Sequence, residues 1–240
     1  MDAGTLNARI YEGRGKAAAR IGTMTRVFRP ADALNPLANL VALLPVAYNA
    51  VDGKYASANS YGKVVWYADF DASQAEVGDY LVSTGATANS SFANDEIDPA
   101  YFFVAAKQSL LPIIAVACNR FIRITRPVPL ASNTAGATGY SGIGAAGMVD
   151  VLGTAAATNF GQDTGWPCAM IFGGGATRLK DPLPAGAALA VGWMIYLPPS
   201  VPVALLPGDR VIDDTGRVLV IEGAELTSLG YRLQAKEAHS

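Results

Sequence analysis

Val77-Gly78-Asp79-Tyr80-Leu81-Val82 and Pro207-Gly208-Asp209-Arg210-Val211-Ile212 share one pattern. Each sets a Gly-Asp turn before an alternating strand. Each then reaches a Thr-Gly turn, Thr84-Gly85 in one and Thr215-Gly216 in the other. A second apolar strand follows both, YFFVAA (101–106) and VLVIEGA (218–224). In the later copy DDTG stands directly between DRVI and RVLVI, the pattern of a tight hairpin. The earlier copy carries a longer loop, ATANSSFANDEIDPA (86–100). A Gly-Asp turn leading a strand is how a small barrel or sandwich starts a hairpin. The echo therefore predicts two β modules, over 63–126 and 166–240.

The segments around the echo are short and rich in β-branched and aromatic residues. KVVWYADF (63–70), LPIIAVACNRFIRITRP (111–127), PCAMIFG (167–173) and ALAVGWMIYLP (188–198) read as strands bounded by Gly, Pro, Asn or Asp. FIRITR sets Phe121, Ile122 and Ile124 against Arg120, Arg123 and Arg126 with one slip, the pattern of a sheet with one wet face. Residues 2–22 read as a helix, with Leu6, Ile10, Ala17 and Ile21 near helical spacing, Gly13 and Gly15 weakening the middle and Gly22 as the stop. Its solvated face carries Arg9, Glu12, Arg14, Lys16 and Arg20. Residues 23–62 are punctuated by VFRP, LNPL and LLPV and read as irregular, an extended arm that wraps a neighbour or packs on its own domain. Residues 127–165 form a Gly/Ala-rich low-complexity loop or insertion. The expected fold class is thus mainly β: two small barrel or sandwich modules with an N-terminal helix (within 1–62), an extended arm and a long loop.

Composition narrows the function. The chain has 240 residues, 51% hydrophobic and 16% charged, with mean hydropathy +0.25. That is too apolar for a disordered chain. A net charge of −2 gives no basic footprint for nucleic acid. The sole His, His239, stands next to the last residue, so a His-based triad or general base is not expected. Cys118 and Cys168 lie in apolar runs and read as two buried thiols, with a single disulfide as the alternative. The first residues contain no apolar signal-peptide core. The uncharged run 183–207 is long enough for a membrane span, but Pro198, Pro199 and Pro202 interrupt it. It reads as two strands joined by a Pro-Pro turn.

Several motifs tempt and fall short. Gly142-Ile143-Gly144-Ala145-Ala146-Gly147 fits the dinucleotide fingerprint but follows no strand. Gly173-Gly174-Gly175 lacks the Lys-Ser/Thr of a phosphate loop. Asp213-Asp214 reads as a hairpin tip with both carboxylates in water. Asp69 and Asp71, and the loop trio Asp95, Glu96 and Asp98, show no spaced cation-ligand pattern. Trp66, Tyr67, Phe70, Tyr101, Phe102 and Phe103 read as core and not as a stacking platform. The Ser of YSGIG has no His partner. No catalytic, cofactor or metal residue is expected.

Three stretches carry a resemblance: GRGKAAARIGTMTRVFRP followed by NPL; SYGKVVWYADFD with VGDYLV and AYFFVAAKQSLLPIIAVACNRFIRITRP; and LPGDRVIDDTGRVLVIEGAELTSLGYRLQAKEA. Together they resemble structural virion proteins of tailed, especially contractile-tailed, bacteriophages. The resemblance implies a virion component without enzyme activity or cofactor, made in the host cytoplasm and placed in the phage tail. It would form a homo-oligomeric ring in the tail tip or baseplate hub, trimeric or else hexameric, and join neighbouring tail-tube, hub or baseplate proteins. The closing module is also similar to head–tail connector and stopper proteins of the neck. A receptor- or carbohydrate-binding β protein is the reading from another class. No specific nucleic acid and no membrane span are expected. The interface residues it suggests are Arg29, Pro30, Asn35 and Pro36.

Overall fold

The computed structural model describes residues 3–49, 64–83, 100–107, 112–128, 147–154, 165–172 and 192–237. The chain is mainly β with one α-helix among these residues. Helix α1 (Ala3–Ile21) ends one residue before β1 (Thr23–Phe28), and Gly22 N–H donates to Ala18 O at 2.7 Å. Strands β2 (Leu40–Asn49), β3 (Val65–Asp69), β4 (Tyr80–Ser83), β5 (Ala100–Ala106) and β6 (Ile113–Cys118) complete the first half. The second half holds β7 (Arg120–Val128), β8 (Gly147–Leu152), β9 (Trp166–Phe172), β10 (Gly192–Leu197), β11 (Arg210–Asp213), β12 (Val218–Thr227) and β13 (Gly230–Glu237).

The first six strands close into an antiparallel barrel in the order β1-β2-β3-β6-β5-β4. The other sheet runs β11-β12-β13-β10-β9-β7-β8, and a β11–β7 pairing brings it back on itself. Six of its strands therefore form a ring, β7-β9-β10-β13-β12-β11, with β8 added beside the far half of β7. Closure removes the free edges that an open sheet would offer for aggregation.

The two rings match strand for strand and residue for residue. Thr25 pairs with Leu44 and Ser83; at the matching place Ile122 pairs with Trp166 and Asp213. Trp66 faces Ala115 as Trp193 faces Ala235. A bulge interrupts β5 between Val104 and Ala106 and β12 between Ile221 and Gly223. Inside the barrels, Val27, Leu44, Val46, Ala68 and Phe102 are buried where the second ring has Ile124, Trp166, Cys168, Ile195 and Leu219. Large and small residues trade places, which keeps a ring of fixed diameter filled. The sequence echo is the visible fragment of this complete repeat.

The strand pairing corrects several expectations. The stretch 23–62 is not irregular throughout, because β1 and β2 lie within it and belong to the first barrel. Its prolines are compatible with strands: Pro45 sits in the part of β2 that pairs with β1 alone, where a missing N–H breaks no second ladder. Pro167 sits likewise, in the part of β9 paired only with β7. β7 belongs to the second ring, so the first module runs from β1 to β6 and not over 63–126. The low-complexity stretch contains a strand, β8, while 129–146 and 155–164 lie outside the described residues. Among the described residues of the Pro-rich run, 192–207, β10 is the one strand, and the Pro-Pro turn leads into irregular chain instead of a second strand. In β7, Ile122 and Ile124 point into the ring, while Phe121 packs edge-on against Tyr101 with centroids 4.9 Å apart.

Candidate functional site

The Gly-Asp turns anchor the same construction in both barrels. Gly78 (φ +97°) donates its N–H to Val104 O at 2.8 Å, and Val104 N–H returns to Asp79 O at 2.9 Å. Gly208 (φ +92°) repeats this with Ile221 at 2.8 Å, and Ile221 N–H returns to Asp209 O at 2.9 Å. A residue with a side chain adopts such a φ only at a cost, so each turn needs its glycine. Each aspartate then turns its carboxylate back under the turn. Oδ2 of Asp79 accepts from Glu76 N–H at 2.7 Å, and Oδ2 of Asp209 from Leu206 N–H at 2.9 Å.

An arginine at the end of the first strand of each barrel, Arg29 just past β1 and Arg126 within β7, closes the arrangement. Arg29 donates Nε to Asp79 Oδ1 and Nη2 to Oδ2, both at 3.0 Å. Arg126 donates the same two nitrogens to Asp209 at 2.7 and 2.8 Å. Both arginines precede a proline, Pro30 and Pro127, so the repeated Arg-Pro dipeptide is the sequence signal of the two clasps. Hydrogen bonding to Asp79 and Asp209 raises the two guanidinium pKa values further, so both stay charged. Each carboxylate accepts from a guanidinium and from a backbone N–H of its own turn, so the pair acts as a clasp.

The predicted interface residues fall beside the first clasp. Arg29 is engaged with Asp79 and with Glu76 at 2.9 Å, Pro30 and Asn35 are half-buried, and Pro36 is buried. The 29–39 connection packs on the chain's own second barrel. Ala33 O accepts from Trp166 Nε1 at 2.7 Å and from Gly153 N–H at 2.8 Å. Large apolar side chains remain exposed near both clasps: Leu40, Val41 and Leu43 on the strand paired with β1, and Met148 and Val149 on the strand paired with β7.

The other candidates resolve simply. Asp213 is fully buried, not in water as expected. Burial works to raise its pKa, but hydrogen bonds from Thr215 and Arg217 outweigh it and hold the carboxyl below its ordinary value. Asp214 lies 3.7 Å from Arg120. Asp71 caps the short 3-10 turn Ala72–Gln74, and Asp69 lies 3.7 Å from Arg14, which leaves the wet face of α1 half-buried. Cys118 and Cys168 are free thiols, and burial pushes both pKa values up. Phe70, Phe102 and Phe103 are buried, and Trp66, Tyr67 and Tyr101 are half-buried. Asp95, Glu96, Asp98, Gly142–Ala146, Gly173–Gly175 and His239 lie outside the described residues. Among the described residues no group of three or more His, Cys, Asp or Glu is placed to hold a metal ion. No helix among them is long and apolar enough to cross a membrane.

No family model, curated protein or solved structure matches this chain. Its functional reading therefore rests on its own residues: two clasped barrels, an apolar rim beside each clasp, and an aromatic ledge. In that ledge Phe172, well exposed, meets Trp193 edge-on at 5.3 Å, and Arg217 lies 4.5 Å from the Trp193 ring centroid.

Proposed function

We propose that the chain is a non-enzymatic structural protein of a tailed bacteriophage virion, a subunit of a symmetric homo-oligomeric ring in the tail tip or baseplate hub. The observation that carries this reading is the pair of apolar rims, with Leu40 53% and Val149 50% exposed in the lone chain. Contiguous apolar residues left in water on closed barrels mark surfaces that another subunit covers. The sequence resemblance supplies the setting, and rigid tandem barrels suit a joint between stacked rings.

Immunogold electron microscopy of phage particles with antibody to this chain tests the proposal. Gold at the far end of the tail is the expected result. Gold at the neck would make the chain a head–tail connector or stopper. No gold on intact or disrupted particles would remove the virion reading. The carbohydrate- or receptor-binding reading would then lead, favoured by the Phe172–Trp193 ledge. Quenching of tryptophan fluorescence by a panel of sugars would support it.

A further inference from the structure

The contact between the two barrels is head-to-tail. It sets the outer face of β4–β6 against the β7–β9 side of the second barrel. Tyr80 donates its hydroxyl to Pro167 O at 2.8 Å and meets Trp166 edge-on at 6.0 Å. Ser200, in the β10–β11 connection, donates Oγ to Gly78 O at 2.7 Å. Because the registers coincide, each half of this contact has a counterpart elsewhere in the chain.

The counterpart of the β4–β6 face is the outer face of β11–β13. Tyr80, Phe103 and Val116 pair in a row across the first barrel, and Arg210, Val220 and Lys236 pair in the same row across the second. Ala105 sits in the bulge of β5 and Glu222 in that of β12. The first set is buried under the second barrel. In the second set Arg210, Glu222 and Lys236 are exposed, and Lys236 pairs with Glu222 at 2.6 Å.

The counterpart of the β7–β9 side is the β1–β2 side of the first barrel, where α1 packs on β2 and on the neighbouring β3. β6 runs into β7 across one residue, Asn119, and touches β9. α1 runs into β1 across one residue, Gly22, and touches β2, the strand that matches β9. α1 also packs on the β3–β4 connection, where a Cβ on Gly15 would lie 2.9 Å from Asp71 Cβ. The helix thus occupies the place that a preceding barrel would take.

We propose that α1 and the charged β11–β13 face are the two terminators of a barrel stack. The surface under α1 is a latent docking site for a β4–β6-type face, which a second copy of this chain can offer only on β11–β13 because its own β4–β6 face is buried. The helix closes that site, and Arg210, Glu222 and Lys236 stop the second barrel from offering such a face. A head-to-tail contact that does not close on itself propagates without limit, so both ends must be blocked for a chain of defined size.

Two full-length variants test this in the analytical ultracentrifuge. Gly15→Glu with Ala18→Glu lifts the helix and makes an acceptor, since Ala18 is buried and Gly15 has no room. Arg210→Tyr with Glu222→Ala and Lys236→Val makes a donor by placing the first barrel's residues on the second. Each variant alone should sediment as the wild type does. Their mixture should add one donor copy per acceptor, and all five substitutions in one chain should give a concentration-dependent series of larger species. A mixture that stays separate while both variants keep the wild-type circular dichroism would overturn the proposal. Donor variants that associate equally without the acceptor would overturn it too. If the double Glu variant unfolds, Gly15→Gln serves as acceptor and the same outcomes decide.

Discussion

Arg126 grips Asp209 in a two-pronged fork, Nε to Oδ1 at 2.7 Å and Nη2 to Oδ2 at 2.8 Å, across 83 residues of chain. The fork ties the end of the first strand of a barrel to the turn that opens its fourth. Its twin, Arg29 on Asp79, spans 50 residues. Both carboxylates are only 2% exposed, so removing the guanidinium leaves a buried charge with backbone donors alone.

Arg126→Ala and Arg29→Ala should therefore each destabilise the fold, by about 3 kcal/mol in denaturant titrations. Lysine should rescue only part of the loss, because an ammonium cannot reproduce the planar fork. Equal stability of the Lys and Arg forms would show that the fork geometry is irrelevant.

Gly78 and Gly208 share a turn and a left-handed φ but differ in surroundings. A Cβ on Gly208 meets open space, whereas one on Gly78 would lie 2.6 Å from Ser200 Cβ. Gly208→Ala should cost the backbone strain alone, about 1–2 kcal/mol. Gly78→Ala should cost distinctly more, the excess reporting the contact between barrels. Thermal melts of the two variants side by side measure the difference.

Asp213 has a folded-state pKa below that of an unfolded carboxyl. Its stabilising contribution is thus present above about pH 4 and lost as pH falls through the folded value. Asp213→Asn should lower stability at pH 7 by about 1–3 kcal/mol. It should also flatten the acid limb of the stability curve below pH 4. A variant whose acid limb matches the wild type would assign acid sensitivity to other carboxylates.

Burial raises the pKa of both thiols. Cys168, fully buried, should resist an aromatic disulfide reagent at pH 8 until the chain unfolds, and half-buried Cys118 should react first. Rapid labelling of Cys168 in the native protein would reveal an opening of the second barrel.

Much of the first-order architecture was legible in local chemistry. Short runs of β-branched and aromatic residues mark β3 to β7, Gly22 marks the end of α1, and the Gly-Asp turns reveal a repeat. These signals are short-range: a turn type, a two-residue period or a helix stop depends on residues a few positions apart. Pro45 hid β2 for the same reason, since proline reads as a breaker until the strand's unpaired side is known.

Local chemistry specifies a mainly β chain with a leading helix and a duplicated turn-and-strand unit. Long-range pairing alone brings β1 and β2 into the first ring, opens the second with β7 and sets each Arg-Pro on its Gly-Asp. The tertiary structure also buries one β4–β6-type face while its charged twin stays wet. Ring closure and the Arg–Asp forks join residues far apart in the chain, and their free energy depends on burial and geometry that exist only once the barrels have formed.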